Sequence, residues 1–230
     1  MFTLDQVVPW GRAFDEYRRM FALSDADLAG RIVGCGDGPA AFNAEATRRG
    51  ARVVSCDPLY RWTRSEIAER IVATAPEVIE QTRRNADDFV WGTLFASVDE
   101  LGERRQRAMA EFLADYDDGK AAGRYVDASL PALPFASRSF DLAVCSHLLF
   151  LYSVQLDEAF HRAAVIEMAR IAAEIRVFPL LALGATPSPH VEPCAAALRE
   201  CGLEVTIEPV DYEFQRGGNR MLRARRPRPA

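Results

Sequence analysis

The sequence predicts an α/β protein with a mostly parallel sheet of seven strands, on three observations. Short apolar runs alternate with stretches of helix-forming composition along most of the chain. Residues 31–57 parse as one strand–loop–helix–strand unit. The last two apolar runs are joined by a turn at Gly217-Gly218-Asn219 with no helix between them, so they should pair antiparallel.

Within the first unit, residues 32–35 are an apolar run suited to a buried strand. Gly36, Asp37 and Gly38 form a tight turn through which backbone can approach a ligand. Pro39 suits the first turn of a helix, residues 40–49 have helical composition, and Gly50 sits where a helix stops. Residues 52–56 are the second strand, and Asp57 falls at its carboxyl end, 19 positions after Gly38. A glycine loop with an acid at that distance is how Rossmann-like folds hold an adenosine ribose.

The flanks follow the same logic. Phe14, Tyr17, Arg18 and Phe21 have helical spacing in an N-terminal arm over residues 1–23. Residues 61–120 are polar and amphipathic. The pairs Thr63/Glu66 and Ser97/Glu100 match the capping box and predict helices from near Arg64 and Val98, with Pro76 suiting another first turn. A nucleotide-binding sheet needs one helix between its second and third strands, so this stretch is a helical insertion expected to lie over the ligand site as a lid. Strands are expected at 124–127, 140–145, 174–180, 204–210 and 221–225, with helices at 154–173 and 193–201. Residues 1–230 are read as a single domain, with residues 223–228 as a solvated basic end.

Composition excludes several classes of function. A net charge of −5 and a pI near 5.4 give no electrostatic footprint for nucleic acid. Lys120 is the only lysine among 28 lysines and arginines, and the arginines are scattered, which reads as composition bias. No apolar run approaches the ~20 residues that span a bilayer and no signal pattern is visible, so the expected location is the cytoplasm. Cysteines 35, 56, 145, 194 and 201 include no C-x-x-C pair and no zinc-ligand spacing, so no metal is expected. Cys35, Cys56 and Cys145 each end a predicted strand and should lie together as small buried hydrophobes.

Taken with two later segments, the glycine loop resembles the class I S-adenosylmethionine-dependent methyltransferases. The family carries two apolar residues, an acid, an apolar residue and then G-x-G-x-G. With Gly34, Gly36 and Gly38 as the glycines, Ile32 takes the acid's place; with Gly36, Gly38 and Ala40, Gly34 takes it. The second register gives Gly50 and Asp57 the family's distances. In both the acid is missing, and Asp37 is the candidate substitute. The second segment is Asp127-Ala128, followed by Leu133-Pro134-Phe135 and Ser139-Phe140-Asp141, a run that nicotinamide dehydrogenases do not share. The third is Cys145-Ser146-His147-Leu148 at the end of the fourth strand.

The resemblance implies a seven-stranded sheet with an antiparallel last strand, S-adenosylmethionine as cofactor and a small-molecule acceptor. It implies cofactor contacts from Gly34, Cys35, Gly36, Asp37, Gly38, Asp57, Pro58 and Ser146. Asp127 and Ala128 would meet the adenine, and Ser129 could share that role because Leu133 follows Asp127 two positions later than usual. His147 is the candidate general base, its alternative being a structural or cofactor-contacting histidine. Arg12 could pair with the cofactor carboxylate, or be a solvated arginine. Tyr17, Tyr60, Phe150 and Tyr152 are candidate substrate-pocket residues, each alternatively core. His161 and His190 lie away from the motifs and are read as surface residues. Two other readings stand beside methyl transfer: a methyltransferase-like protein that only binds, and a nicotinamide-dependent oxidoreductase. Against the latter, the loop continues Pro39-Ala40 in place of G-x-G-x-x-G.

Overall fold

The computed structural model describes residues 8–227. Residues 1–7 of the arm and Arg228 of the basic end lie outside the described residues. The chain runs α1 (Phe14–Met20), α2 (Asp25–Ala29), β1 (Arg31–Cys35), α3 (Phe42–Arg48), β2 (Arg52–Cys56), a 3-10 turn (Pro58–Arg61) and α4 (Arg64–Arg84). A second 3-10 turn (Ala86–Asp88) leads to α5 (Val98–Ala121), β3 (Tyr125–Val126), β4 (Phe140–Ser146), α6 (Glu158–Ile171), β5 (Ala172–Phe178), α7 (Val191–Glu200), β6 (Glu204–Pro209) and β7 (Arg220–Arg225).

The seven strands form one sheet in the order β3-β2-β1-β4-β5-β7-β6. The first five are parallel, and β7 is antiparallel to both β5 and β6. This is the sheet that the alternating pattern and the resemblance imply. Cys35 pairs with Cys56, and Gly34 with Val144, so β1, β2 and β4 end level with one another. Alternate residues of β4 feed opposite faces. Ala143 and Cys145 pack with Met168, Cys194 and Leu198 under α6 and α7. Leu142 and Val144 pack with Phe14, Tyr17 and Phe42 under α1 and α3. The insertion has a core of its own at the β2–β3 edge. Tyr60, Phe112, Tyr116 and Tyr125 meet there at ring separations of 5.2–6.1 Å, above Ile67 and Ile71 of α4.

Both N-caps start their helices where the sequence places them, but the reciprocal capping box closes only at Thr63 and Glu66, because the Glu100 carboxylate accepts the Ala96 N–H in place of the Ser97 N–H. Glu66 donates its N–H to the Thr63 hydroxyl, and Glu100 to Ser97. Pro76, however, is interior to α4 and begins nothing. It lies on the exposed side, where solvent can serve the carbonyl its missing N–H leaves free. Pro39 also falls short of a helix: α3 starts at Phe42, after a turn pinned by the Ala41 N–H bond to the Arg12 carbonyl. The helix expected from residue 154 starts at Glu158, because the Asp157 carboxylate caps it by accepting the Phe160 N–H. Pro179, which offers no N–H, follows the last residue of β5, two positions before the expected end. The short α2 was not anticipated; Ser24 and Asp27 form its capping box.

Candidate cofactor and acceptor cleft

A cleft of about 500 Å³ opens over the carboxyl ends of β1, β2 and β4, where ligands sit in open parallel sheets. The loop after β1 forms its floor. Gly36 is left-handed (φ 73°) and donates its N–H to the Cys56 carbonyl at 2.8 Å. A Cβ there would come within 2.5 Å of the Leu148 side chain, so only glycine fits. The Gly38 N–H donates to Asp57 Oδ2 at 2.9 Å, the Leu59 N–H to Asp57 Oδ1 at 2.7 Å, and the Tyr60 hydroxyl to the Gly38 carbonyl at 2.7 Å. Burial, opposed by the two backbone N–H bonds and aided by Asp127, pushes the Asp57 carboxyl up to about 6. Each of its oxygens retains a lone pair for a further donor.

Asp37 is folded inward. It accepts the Tyr17 hydroxyl at 2.9 Å and the Ser55 hydroxyl at 2.6 Å. A Cβ built on Gly34 would lie 1.8 Å from its carboxylate. The loop carboxylate thus occupies the space that a side chain at position 34 would fill. Burial, aided by Asp57 and opposed by the two hydroxyls, pushes the Asp37 carboxyl up to about 6. Burial and Asp37 hold the Tyr17 phenol well above its ordinary range, so it remains a donor.

On the β4 side the chain turns sharply, with His147 left-handed (φ 56°) and its N–H bonded to the Phe178 carbonyl at 2.7 Å. Ser146 Oγ lies 2.8 Å from His147 Nδ1. Burial, and then the guanidinia of Arg12 and Arg105, hold the imidazole well below its usual pKa, so the ring is neutral. Arg105 is buried and paired with Glu16, whose carboxylate also accepts from the Tyr212 hydroxyl and the Ala13 N–H. Burial alone would raise the Glu16 carboxyl, but Arg105 prevails and holds it at about 2.

Gly36, Asp37, Gly38, Asp57, Pro58, Ser146, His147, Arg12, Tyr17 and Tyr152 therefore share the cleft wall. The other expected residues lie elsewhere. Gly34 is within the sheet, and the Cys35 side chain packs into the core with Cys56 and Cys145. Tyr60 and Phe150 are fully buried core residues, because one ring is enclosed by the insertion's aromatic cluster and the other stacks on His161. Asp127, Ala128 and Ser129 follow β3 outside the wall, Asp127 near enough to Asp57 to raise its carboxyl. His161 is buried rather than at the surface: its Nε2 accepts the Phe150 N–H at 3.0 Å, and its ring lies 4.5 Å from that of His190.

Arg105, Phe89 and Phe214 are wall residues that sequence reasoning missed. Arg105 did carry a signal. It sits on the apolar stripe formed by Leu101, Ala108, Met109 and Phe112 of α5, and a charge on a buried stripe needs a reason. Phe89 and Phe214 are brought together at 4.7 Å by chain pairing, through the Val90 N–H to Phe214 carbonyl bond, which no local pattern announces.

The sheet order, with β7 antiparallel between β5 and β6, and the glycine loop joined to Asp57 define the Rossmann-like fold of the class I S-adenosylmethionine-dependent methyltransferases. The chain matches no established protein-family model. It belongs to the family of the uncharacterized protein MJ0045 of Methanocaldococcus jannaschii, with which it is 33% identical over 226 residues, 97% of this chain and 98% of that one. Among solved structures it is similar to the mitomycin 7-O-methyltransferase MmcR (TM-score 0.49, 15% identity, 93% of this chain and 54% of that one). The magnesium protoporphyrin IX methyltransferase of Synechocystis PCC 6803 with bound SAH is similar to the same degree (TM-score 0.48, 16% identity, 88% and 77% covered). So is the Burkholderia thailandensis 1,6-didemethyltoxoflavin-N1-methyltransferase (TM-score 0.45, 14% identity, 89% and 74% covered). No helix among the described residues is long and apolar enough to cross a membrane.

Proposed function

We propose that the protein is an S-adenosylmethionine-dependent methyltransferase acting on a small-molecule acceptor. The observation that carries this reading is Asp57. Its carboxylate stands at the end of β2, is held by the Gly38 and Leu59 N–H groups, and retains lone pairs toward the cleft. That arrangement fits the two hydroxyls of an adenosine ribose. The left-handed Gly36 and Gly38 leave room for the amino-acid end of the cofactor. Asp37 stiffens the loop from below through Tyr17 and Ser55. The bound cofactor supplies an electrophilic methyl group on a sulfonium. The residues of this chain hold the acceptor in line and exclude water. α4 and α5, with Trp10 of the arm, line the open side and act as the lid.

The test is calorimetric titration with S-adenosylhomocysteine and with NADH, together with the unfolding midpoint. S-adenosylhomocysteine should bind in the micromolar range and raise the midpoint by linkage. A flat response at millimolar S-adenosylhomocysteine, with stabilisation by NADH, refutes the reading in favour of an oxidoreductase.

A further inference from the structure

We propose, resting on the methyltransferase reading, that Arg12 and Arg105 form an oxyanion site, so that the acceptor is a phenol-type compound bound as its oxygen anion. The argument begins with charge. Both arginines line the cleft, one from the arm and one from α5. The Arg105 side chain is 1% exposed, and the Nε of each arginine is buried without a partner. Arg12 donates to the Trp10 carbonyl at 3.2 Å and has no ion pair among the described residues. The acids around them are already committed. Glu16 of α1 is occupied by Arg105, Tyr212 and the Ala13 N–H. Asp37 of the β1 loop is occupied by Tyr17 and Ser55. Two guanidinia against one carboxylate leave one uncompensated positive charge on the cleft wall, on the half-buried Arg12 with its Nε buried. That is costly in a fold selected for stability alone, and an anionic ligand relieves it.

Placement narrows the anion. Arg12 stands between the two ends of the cleft: its carbonyl holds the Ala41 N–H after the β1 loop, and its charge reaches His147 and Tyr152 on the β4 side as well as Tyr17, whereas Arg105 comes from α5 and also acts on His147. The carboxylate that fits the ribose, Asp57, belongs to the β2 end. Phe89 and Phe214, stacked on each other at 4.7 Å, and Leu101, Leu148, Leu151 and Leu183 are the aromatic and apolar members of the same wall. An apolar, aromatic-bearing wall of this kind suits one face of a planar ring. A nitrogen acceptor would gain positive charge on methylation, beside two guanidinia, whereas an oxygen anion loses its charge there. Burial, and then the same field, make His147 a weak base, and an acceptor already ionised needs none. Its proton goes to solvent on binding.

The experiment uses para-nitrophenol, whose anion has its own absorbance band, added to the protein saturated with S-adenosylhomocysteine. The band should titrate at least about one pKa unit lower than in buffer, which means about tenfold tighter binding of the anion than of the phenol. Neutral para-nitroaniline should bind at least about tenfold more weakly than the anion. Arg12→Met should abolish most of the shift. Arg105→Lys, which keeps a cation opposite Glu16 but removes the unpartnered Nε–H donor, should reduce the shift by less than Arg12→Met does. An unshifted titration, or no binding at millimolar probe, overturns the proposal while S-adenosylhomocysteine still binds. If S-adenosylhomocysteine itself fails to bind, the methyltransferase reading falls instead. The proposal is also overturned if Arg12→Met weakens S-adenosylhomocysteine but not 5′-methylthioadenosine and leaves the nitrophenol shift intact. Arg12 would then serve the cofactor carboxylate.

Discussion

Replacing Asp57 by asparagine keeps the shape of the side chain and removes its charge. Two effects on the free protein oppose each other. The carboxyl is raised from 3.8 to about 6, so keeping it ionised at neutral pH costs the native state about 3 kcal/mol, which asparagine removes. Asparagine can still accept from one of the Gly38 and Leu59 N–H groups but must turn its amide on the other, a loss of about 1–3 kcal/mol. The unfolding midpoint of the free protein at neutral pH should therefore move little. Cofactor affinity has no such compensation. Hydrogen bonds from ribose hydroxyls to a charged acceptor are worth about 1.5–3 kcal/mol each, so S-adenosylhomocysteine should bind at least about tenfold more weakly. The pH dependence gives a second check. A carboxyl raised in the fold contributes stability that is fully present below its unfolded value and is lost as pH rises through about 6. The free wild-type protein should lose stability from about pH 4 to pH 6, and Asp57→Asn should reduce that loss, leaving the part due to Asp37, which titrates in the same window. S-adenosylhomocysteine favours the ionised carboxylate, so its affinity should rise with pH across the same window in the wild type and stay flat in the variant. Calorimetry at a series of pH values measures both. Unchanged affinity in Asp57→Asn, or wild-type affinity that falls as pH rises, refutes the ribose assignment.

Three further expectations follow from the same geometry. Gly34→Ala puts a methyl group 1.8 Å from the Asp37 carboxylate and should cost ~1–3 kcal/mol by denaturant unfolding, with most of the loss recovered in Gly34→Ala/Asp37→Ala; additive losses would show that the two positions do not compete for space. Glu16→Gln leaves Arg105 buried without its counter-charge and should destabilise by ~3–5 kcal/mol, and a midpoint within error of wild type would mean that water enters the pair. His147 is held neutral by burial and by Arg12 and Arg105, so at saturating cofactor the pH profile of methyl transfer should follow the acceptor's own ionisation and be the same in His147→Asn; a limb near 6.5 that disappears in that variant would show an imidazole that titrates in the ordinary range.

The buried strands were legible because β1, β2, β4 and β5 contain short apolar runs, and β1, β2 and β7 lie within a residue of their expected limits. The insertion helices were legible at their starts because Thr63 and Ser97 advertise caps in the local sequence. What was not legible depends on distant partners. Tyr60 and Tyr152 both follow strands and look alike in sequence. One is enclosed by α5 and β3, whereas the other reaches the cleft. Pro76 reads as a helix start only because a proline inside a helix is locally unfavourable, and the packing of Ile67, Ile71, Ala75 and Val78 on one face overrides that cost. Arg105 and Glu16 meet across 89 positions, and only the fold reveals that they form one pair.

The loop after β4 shows how the molecule meets the cost of its own site. His147 and Phe150 both have left-handed backbones, at φ 56° and 70°, which side-chain-bearing residues adopt only when their surroundings impose it. At Phe150 the imposing group is His161. Its Nε2 must be the acceptor, because the Phe150 N–H points at it, so its Nδ1 carries the proton and donates to the Asp157 carbonyl at 2.8 Å. The Phe150 carbonyl is in turn bonded by the Ser153 hydroxyl, which meets the Ser188 hydroxyl at 2.7 Å, and the Leu183 N–H bonds to the Leu151 carbonyl at 3.0 Å. The segment that presents His147, Leu148 and Leu151 to the cleft is thereby tied to α6 and to the segment that presents Leu183. His161 touches nothing in the cleft, yet it fixes the turn on which His147 depends. His161→Ala should therefore weaken the protection of the Phe150 and Leu183 amides from exchange by more than that of β1. Glutamine, which can still offer an acceptor to the Phe150 N–H, should restore part of it. Equal loss of protection across the sheet in His161→Ala would instead make His161 an ordinary core residue whose removal loosens the whole fold.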